Sequence, residues 1–262
     1  MASIYDRPST HDLEHEGDAE DIAFYIWLIG ALKPSRVLEL AAGTGRVTIP
    51  LVERFPDLRI VGLDAAPAML AEAERKRQAL APGVRARVAF IEGDMRHWQD
   101  AEPFDLILTP CSSLAHLHEI DDQVATWRRA YANLVPGGRF VTDLTMPDLA
   151  AFAESLRTPP RTLLEIDIDT CDPRTGDRLL RYKTTQYVAH EQLATIRFVY
   201  DQFPTGEAAD RYVSDFRCHV YFPREIELLF RLTGFTIEQR FGDYGARRPR
   251  ASSRQIITVG RR

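Results

Sequence analysis

The chain has 262 residues, 45% of them hydrophobic and 27% charged, a composition that excludes a disordered chain and is large enough for a sizeable core. Acidic residues outnumber basic ones, 38 to 33, for a net charge of −5, so no global positive field gathers a phosphate backbone and nucleic acid is not the expected partner. Cys111, Cys171 and Cys218 are far apart with no CxxC pair, which argues against a zinc site and a disulfide framework; the acidic start lacks an apolar signal segment, and a cytoplasmic chain without membrane contact is expected.

The length suits one α/β domain carrying an insertion. Residues 18–32 place Ile22, Tyr25, Ile26, Ile29 and Leu32 at helical spacing, with Asp18 or Asp21 to cap the start. Strand-like and helical runs then alternate: RVLELA at 36–41, a helix over 45–54, RIVGLD at 59–64, a helix over 67–80, RVAFIEGD at 87–94, FDLILT at 104–109, a helix over 121–134 and RFVTDL at 139–144. That order predicts a parallel sheet with helices on both faces. After Pro147 the texture changes, and TLLEIDID, RLLRYKTTQYVA, ATIRFVYDQF and RYVSDFRCHVYF read as antiparallel strands of a separate sheet. A helix over 223–233 and strands at 235–241 and 254–260 return to the first pattern, while Arg247, Arg248, Arg250, Arg254, Arg261 and Arg262 read as a solvated basic tail.

The most informative segment is Val37-Leu-Glu-Leu-Ala-Ala-Gly-Thr-Gly-Arg46, a hydrophobic strand running into a glycine turn that opens a helix. Gly43 and Gly45 permit positive φ and close approach of a ligand, and the helix start offers free amides. Dinucleotide-binding enzymes use G-x-G-x-x-G at such a turn, but here the third glycine falls on Thr48. The segment resembles motif I of the class I S-adenosylmethionine-dependent methyltransferases, E/D-x-G-x-G-x-G, entered at Glu39 with Ala41 in the first glycine position. Further features follow in that family's order: Asp64, with Ala65, closes the second strand; Gly93-Asp94-Met95 closes the third; FDLILTPCSSLAHL carries the fourth; NLVPGGRFVTD leads into the fifth.

The resemblance implies a seven-stranded Rossmann-like core, with Glu39, Ala41, Gly43, Gly45, Asp64, Ala65, Asp94, Met95 and Pro110 holding S-adenosylmethionine, S-adenosylhomocysteine as product, and no metal. Asp64 would accept from the ribose hydroxyls and Asp94 from the adenine amino group, with Met95 against the ring. Cys111-Ser-Ser-Leu-Ala-His-Leu117 resembles the N-S-F-A-H-L stretch of glycine N-methyltransferases, which implies that His116 contacts the methionine end of the cofactor; a catalytic base is its other reading. Ser112 stands where that family has a substrate-binding asparagine, which argues against glycine as the acceptor. Pro110-Cys-Ser-Ser113 does not match the N/D-P-P-Y/F signature of nucleic-acid adenine methyltransferases.

Ile4-Tyr-Asp6 and Tyr25 resemble the lid of sugar-amine N-methyltransferases, which implies that Tyr5 closes over the cofactor carboxylate and Tyr25 lies toward the substrate. Within the insertion, Tyr200, Arg217, His219 and Tyr221 are acceptor candidates, the last three sharing one strand face, with Tyr221 also a catalytic candidate; a solvent face or inter-subunit contact is the alternative. The expected organisation is an N-terminal lid and helix over 1–35, a core over 36–147 and 223–262, and an antiparallel β insertion over 148–222 that covers substrate or pairs two copies as a homodimer. The expected reaction is methyl transfer to a nitrogen, less readily an oxygen, of a small-molecule acceptor. The rival readings are an NAD-dependent oxidoreductase and a catalytically silent cofactor-binding regulatory subunit.

Overall fold

A computed structural model describes residues 4–15, 17, 19–206 and 208–262; Asp18, one of the two candidate caps, lies outside the described residues. A short 3-10 turn at Ile4–Asp6 precedes α1 (Pro8–Glu14) and α2 (Glu20–Leu32), which leads to β1 (Arg36–Leu40). Then come α3 (Thr48–Arg54), β2 (Arg59–Asp64), α4 (Pro67–Gln78), α5 (Pro82–Arg85), β3 (Val88–Glu92), β4 (Phe104–Thr109), α6 (Ile120–Ala132) and β5 (Leu134–Thr145). After α7 (Leu149–Ser155) four strands follow, β6 (Glu165–Cys171), β7 (Arg178–Val188), β8 (Leu193–Phe203) and β9 (Asp210–His219), and the chain closes with α8 (Pro223–Leu232), β10 (Thr236–Phe241) and β11 (Gln255–Arg261).

These elements form two compact units, Asp18–Met146 with Tyr221–Arg262, and Met1–Gly17 with Pro147–Val220. The first unit holds a seven-stranded sheet in the order β10-β11-β5-β4-β1-β2-β3, with β1 to β5 parallel and β11 antiparallel to both β5 and β10. Alternation within the strands feeds two cores. Leu38, Ile107, Phe140 and Ile256 pack with Trp127 of α6 and Phe230 of α8, while Val37, Leu106, Leu108, Val141 and Ile257 pack with Phe24 and Leu28 of α2 and Leu51 of α3. Burial on both faces explains why these strands read as near-continuous apolar runs.

The parallel strands bring the loops after β1, β2, β3, β4 and β5 to one rim of the sheet. Because β11 starts at Gln255 opposite Thr145, the segment joining β10 to β11 reaches the same rim. α3 starts at Thr48, not 45, because the residues before it are taken up by the turn, and β5 starts five residues early, at Leu134, running through Pro136 and through Gly137, which takes φ of 82°. Asp21 does not cap α2: Ala19 holds that position, and Asp21 sits inside the first turn.

The second unit is an antiparallel meander in the order β6-β7-β8-β9, whose small core is Leu179, Phe198 and Tyr200. Ile4 and Leu13 pack on that core, Glu14 pairs with Arg181 at 2.7 Å, and the Arg7 guanidinium lies 3.8 Å from the centre of the Tyr212 ring. The opening segment therefore clusters with the inserted sheet, whereas α2 clusters with the core; the expected single 1–35 unit is divided at Gly17. Cross-strand ion pairs, Arg178 with Asp169 and Arg197 with Asp215, fix the register of the exposed face.

Candidate cofactor and acceptor site

The turn after β1 is left-handed at alternate positions: φ is 57° at Ala41, 56° at Gly43 and 77° at Gly45. At Gly45 a Cβ would also come within 2.7 Å of the Phe90 ring, so the position excludes any larger residue. Ala41 accepts the left-handed conformation at a cost that glycine would not bear. Asp64, at the end of β2, ties the turn together: its two carboxylate oxygens accept the Gly43 amide at 2.7 Å and the Ala66 amide at 2.8 Å. Those bonds fix the carboxylate at the rim, half-buried and beside exposed Ala65, with lone pairs left for a ligand.

Glu39 lies deeper. It is buried, accepts the Thr48 hydroxyl, and burial pushes its pKa up to about 8, so it is a neutral acid at pH 7. At the end of β3, Asp94 is clamped by Arg96, whose guanidinium also reaches Asp122 at 2.8 Å; the clamp holds the Asp94 carboxyl below its ordinary range. Met95 packs partly buried against the core beside it.

The loop after β4 is strained. Cys111 and Ser112 take φ of 55° and 57° in succession, a conformation that non-glycine residues hold only when their surroundings over-determine it. Those surroundings are explicit. The Ser112 amide donates to the Asp143 carbonyl at 3.1 Å, Ser113 bonds the Pro110 carbonyl, and the Ser112 hydroxyl accepts the Thr145 amide at 2.8 Å. Arg46 grips Asp21 through two nitrogens and donates to the sulfur of exposed Cys111 at 2.9 Å. The Asp143 carboxylate is fully buried under the loop, accepting the hydroxyls of Tyr25 at 3.2 Å and Tyr244 at 2.8 Å through one oxygen, while its other oxygen has no hydrogen-bond partner among the described residues. Burial raises its pKa to about 6. His116 ends the following 3-10 turn; burial lowers its pKa, its neighbour His118 lowers it further, and the Asp64 charge works the other way.

The core unit thus gathers Glu39, Ala41, Gly43, Gly45, Asp64, Ala65, Asp94, Met95, Pro110, Ser112 and His116 around one rim. Other candidates are placed differently. Tyr25 is wholly buried on α2 and spends its hydroxyl on Asp143. Tyr221 follows the end of β9, so it does not share a strand face with Arg217 and His219; it is buried in the core unit and donates to the Leu114 carbonyl at 3.2 Å. Tyr5, Tyr200, Arg217 and His219 belong to the second unit: Tyr200 is buried and stacked on Tyr212 at 4.4 Å, His219 is buried, and Arg217 pairs with Glu191. Asp143, Tyr244 and the Asp21–Arg46 pair were not singled out from sequence. An aspartate within the apolar run RFVTDL was the available signal.

Among the described residues no group of three or more His, Cys, Asp or Glu side chains could hold a metal ion, and no helix is long and apolar enough to cross a membrane.

Residues 37–138 match the family described as Methyltransferase domain, and the sheet order is that of the Rossmann-like fold of methyltransferases. Individual relatives match over different spans. YqeM of Bacillus subtilis (strain 168), whose name assigns methyl transfer provisionally, is 24% identical over 98% of this chain and 94% of its own. The trans-aconitate 2-methyltransferase of Streptomyces avermitilis is 37% identical, but over 40% of this chain and only 37% of its own length. Among solved structures, the sugar N-methyltransferase KedS8 from Streptoalloteichus superposes with a TM-score of 0.69 at 18% identity, covering 96% of this chain and 93% of that one.

Proposed function

We propose that this protein transfers a methyl group from S-adenosylmethionine to a nitrogen of a small-molecule acceptor. The observation that carries the reading is the Asp64 carboxylate, bonded to the Gly43 and Ala66 amides and so presented across the left-handed glycine turn. This polar cradle suits a ribose, Asp94 and Met95 at the next strand end suit an adenine, and Pro110 and His116 belong to the segment that follows β4. When bound, the cofactor supplies a methyl group activated by its sulfonium, and no metal is required.

The chain's own part is alignment and proton management. The loop at Cys111 and Ser112, held by Asp143 and Thr145, fixes the wall next to the rim. His116, whose pKa is lowered, offers an imidazole able to accept a hydrogen bond from an incoming amine. Nitrogen is preferred over oxygen on two supports, the His116 segment and the fold shared with a sugar N-methyltransferase. Tyr5, Tyr200, Arg217 and His219 remain proposed acceptor or lid residues. The open edges of β6 and β9 support the proposal of a homodimer, which sedimentation checks, and the three free cysteines fit a cytoplasmic setting.

The test is incubation with methyl-labelled S-adenosylmethionine and a panel of small amines and matched alcohols. Label appearing in amines, and suppressed when excess S-adenosylhomocysteine is added beside the labelled cofactor, is the expected result. Label in alcohols alone would overturn the nitrogen assignment, and hydride exchange with NAD in its place would overturn methyl transfer.

A further inference from the structure

The arginines of the segment between β10 and β11 are exposed, as expected, but the segment is a folded loop between two strands rather than a tail. It folds on itself: the Gly242 amide donates to the Arg247 carbonyl at 2.8 Å, Arg250 and Ser253 exchange two bonds of 3.0 Å, and a Cβ at Gly242 would come within 2.7 Å of the Pro249 backbone. Inside this fold lies a pocket of about 450 Å³, walled by Arg247, Arg248, Arg250 and Arg254 with Tyr244 and Gln255. Its lining holds two acidic residues, Glu20 and Asp243, against four arginines. Asp243 is taken by Arg247 at 3.4 Å, and Arg248, Arg250 and Arg254 have no ion pair among the described residues. Elsewhere the arginines mostly find carboxylates, as Arg178, Arg181, Arg197 and Arg211 do. Arg248, Arg250 and Arg254 are exposed and line one concavity without a carboxylate of their own, and the fork geometry of guanidinium groups suits oxyanions.

The pocket adjoins the site described above. Its wall residue Tyr244 donates to Asp143, whose carbonyl accepts the Ser112 amide, and Gln255 faces Thr145, which bonds the Ser112 hydroxyl. We infer that this pocket binds the anionic end of the methyl acceptor, a phosphate or polycarboxylate group, and so holds the nucleophile toward the loop after β4. The assignment to the acceptor rests on the methyltransferase reading.

The experiment is calorimetric titration of the full chain, at constant ionic strength, with inorganic pyrophosphate and with citrate, each with and without saturating S-adenosylhomocysteine. Wild type is compared with Arg250→Gln/Arg254→Gln and, separately, Arg248→Gln; all three arginines are exposed, and a thermal melt of each variant controls for folding. The inference predicts saturable binding of at least one anion, undiminished by the homocysteine compound and weakened about tenfold or more in the double variant. Preference for pyrophosphate marks a phosphate-bearing acceptor, and preference for citrate a polycarboxylate; either supports the site. No anion binding, equal binding by wild type and variants, or displacement by S-adenosylhomocysteine overturns it. Anion binding by a folded protein that does not take S-adenosylhomocysteine would instead overturn the methyltransferase reading and leave the anion pocket without that role.

Discussion

At Ala41 an L-residue holds φ of 57°, which costs an alanine about 1 kcal/mol that a glycine does not bear. Ala41→Gly also frees the unfolded chain, so the net expectation is a gain of about 0.5 kcal/mol, read as a higher urea midpoint at unchanged slope. A lower midpoint would mean that the methyl group packs better than its backbone strain costs. Glu39 makes the complementary prediction in pH. Its pKa in the folded protein is about 8 against 4.5 for the free side chain, so its contribution is fully present below pH 4.5 and is lost as pH rises through about 8. Glu39→Gln should therefore flatten the fall of stability across that window and leave the variant the more stable at pH 8; parallel curves for the two proteins would contradict the buried, neutral acid. The motif singles out Glu39, but its pairing with Thr48 depends on where α3 begins, which spacing alone places three residues early.

Elements meet at the strained loop after β4. The Asp143 carboxylate on β5 joins Tyr25 of α2 and Tyr244 of the β10–β11 segment, so three elements distant in sequence converge on one oxygen. Removing either hydroxyl, by Tyr25→Phe or Tyr244→Phe, should cost about 1–2 kcal/mol, and much less in an Asp143→Asn background, with the coupling read from a double-mutant cycle. Additive losses would show that the hydroxyls act independently of the carboxylate. This convergence was invisible beforehand because alternation and spacing report one element at a time. The elements themselves were more legible: the strands of both sheets fall on the apolar or alternating runs, whereas α1, α5 and α7, of seven residues or fewer, are too short for periodicity to expose them. Arg217, His219 and Tyr221 keep alternate spacing in sequence, but β9 ends at His219 and the chain leaves the sheet before Tyr221.

For the molecule as a whole, the insertion after β5 and the return to the core after it were readable from the change in residue texture. The allegiance of α1 to the inserted sheet was not, since it depends on Leu13 and Glu14 finding Phe198 and Arg181 across the chain. What the core unit offers a ligand is concentrated on one rim, from the glycine turn through Asp64 and Asp94 to the loop at Cys111 and the arginine pocket. The most direct test of the account is calorimetric titration of wild type and Asp64→Ala with S-adenosylmethionine, S-adenosylhomocysteine and NAD. The account predicts micromolar binding of both adenosyl compounds by wild type, loss of that binding in the variant, and no signal from NAD. Well-folded wild-type protein that binds neither adenosyl compound would contradict it.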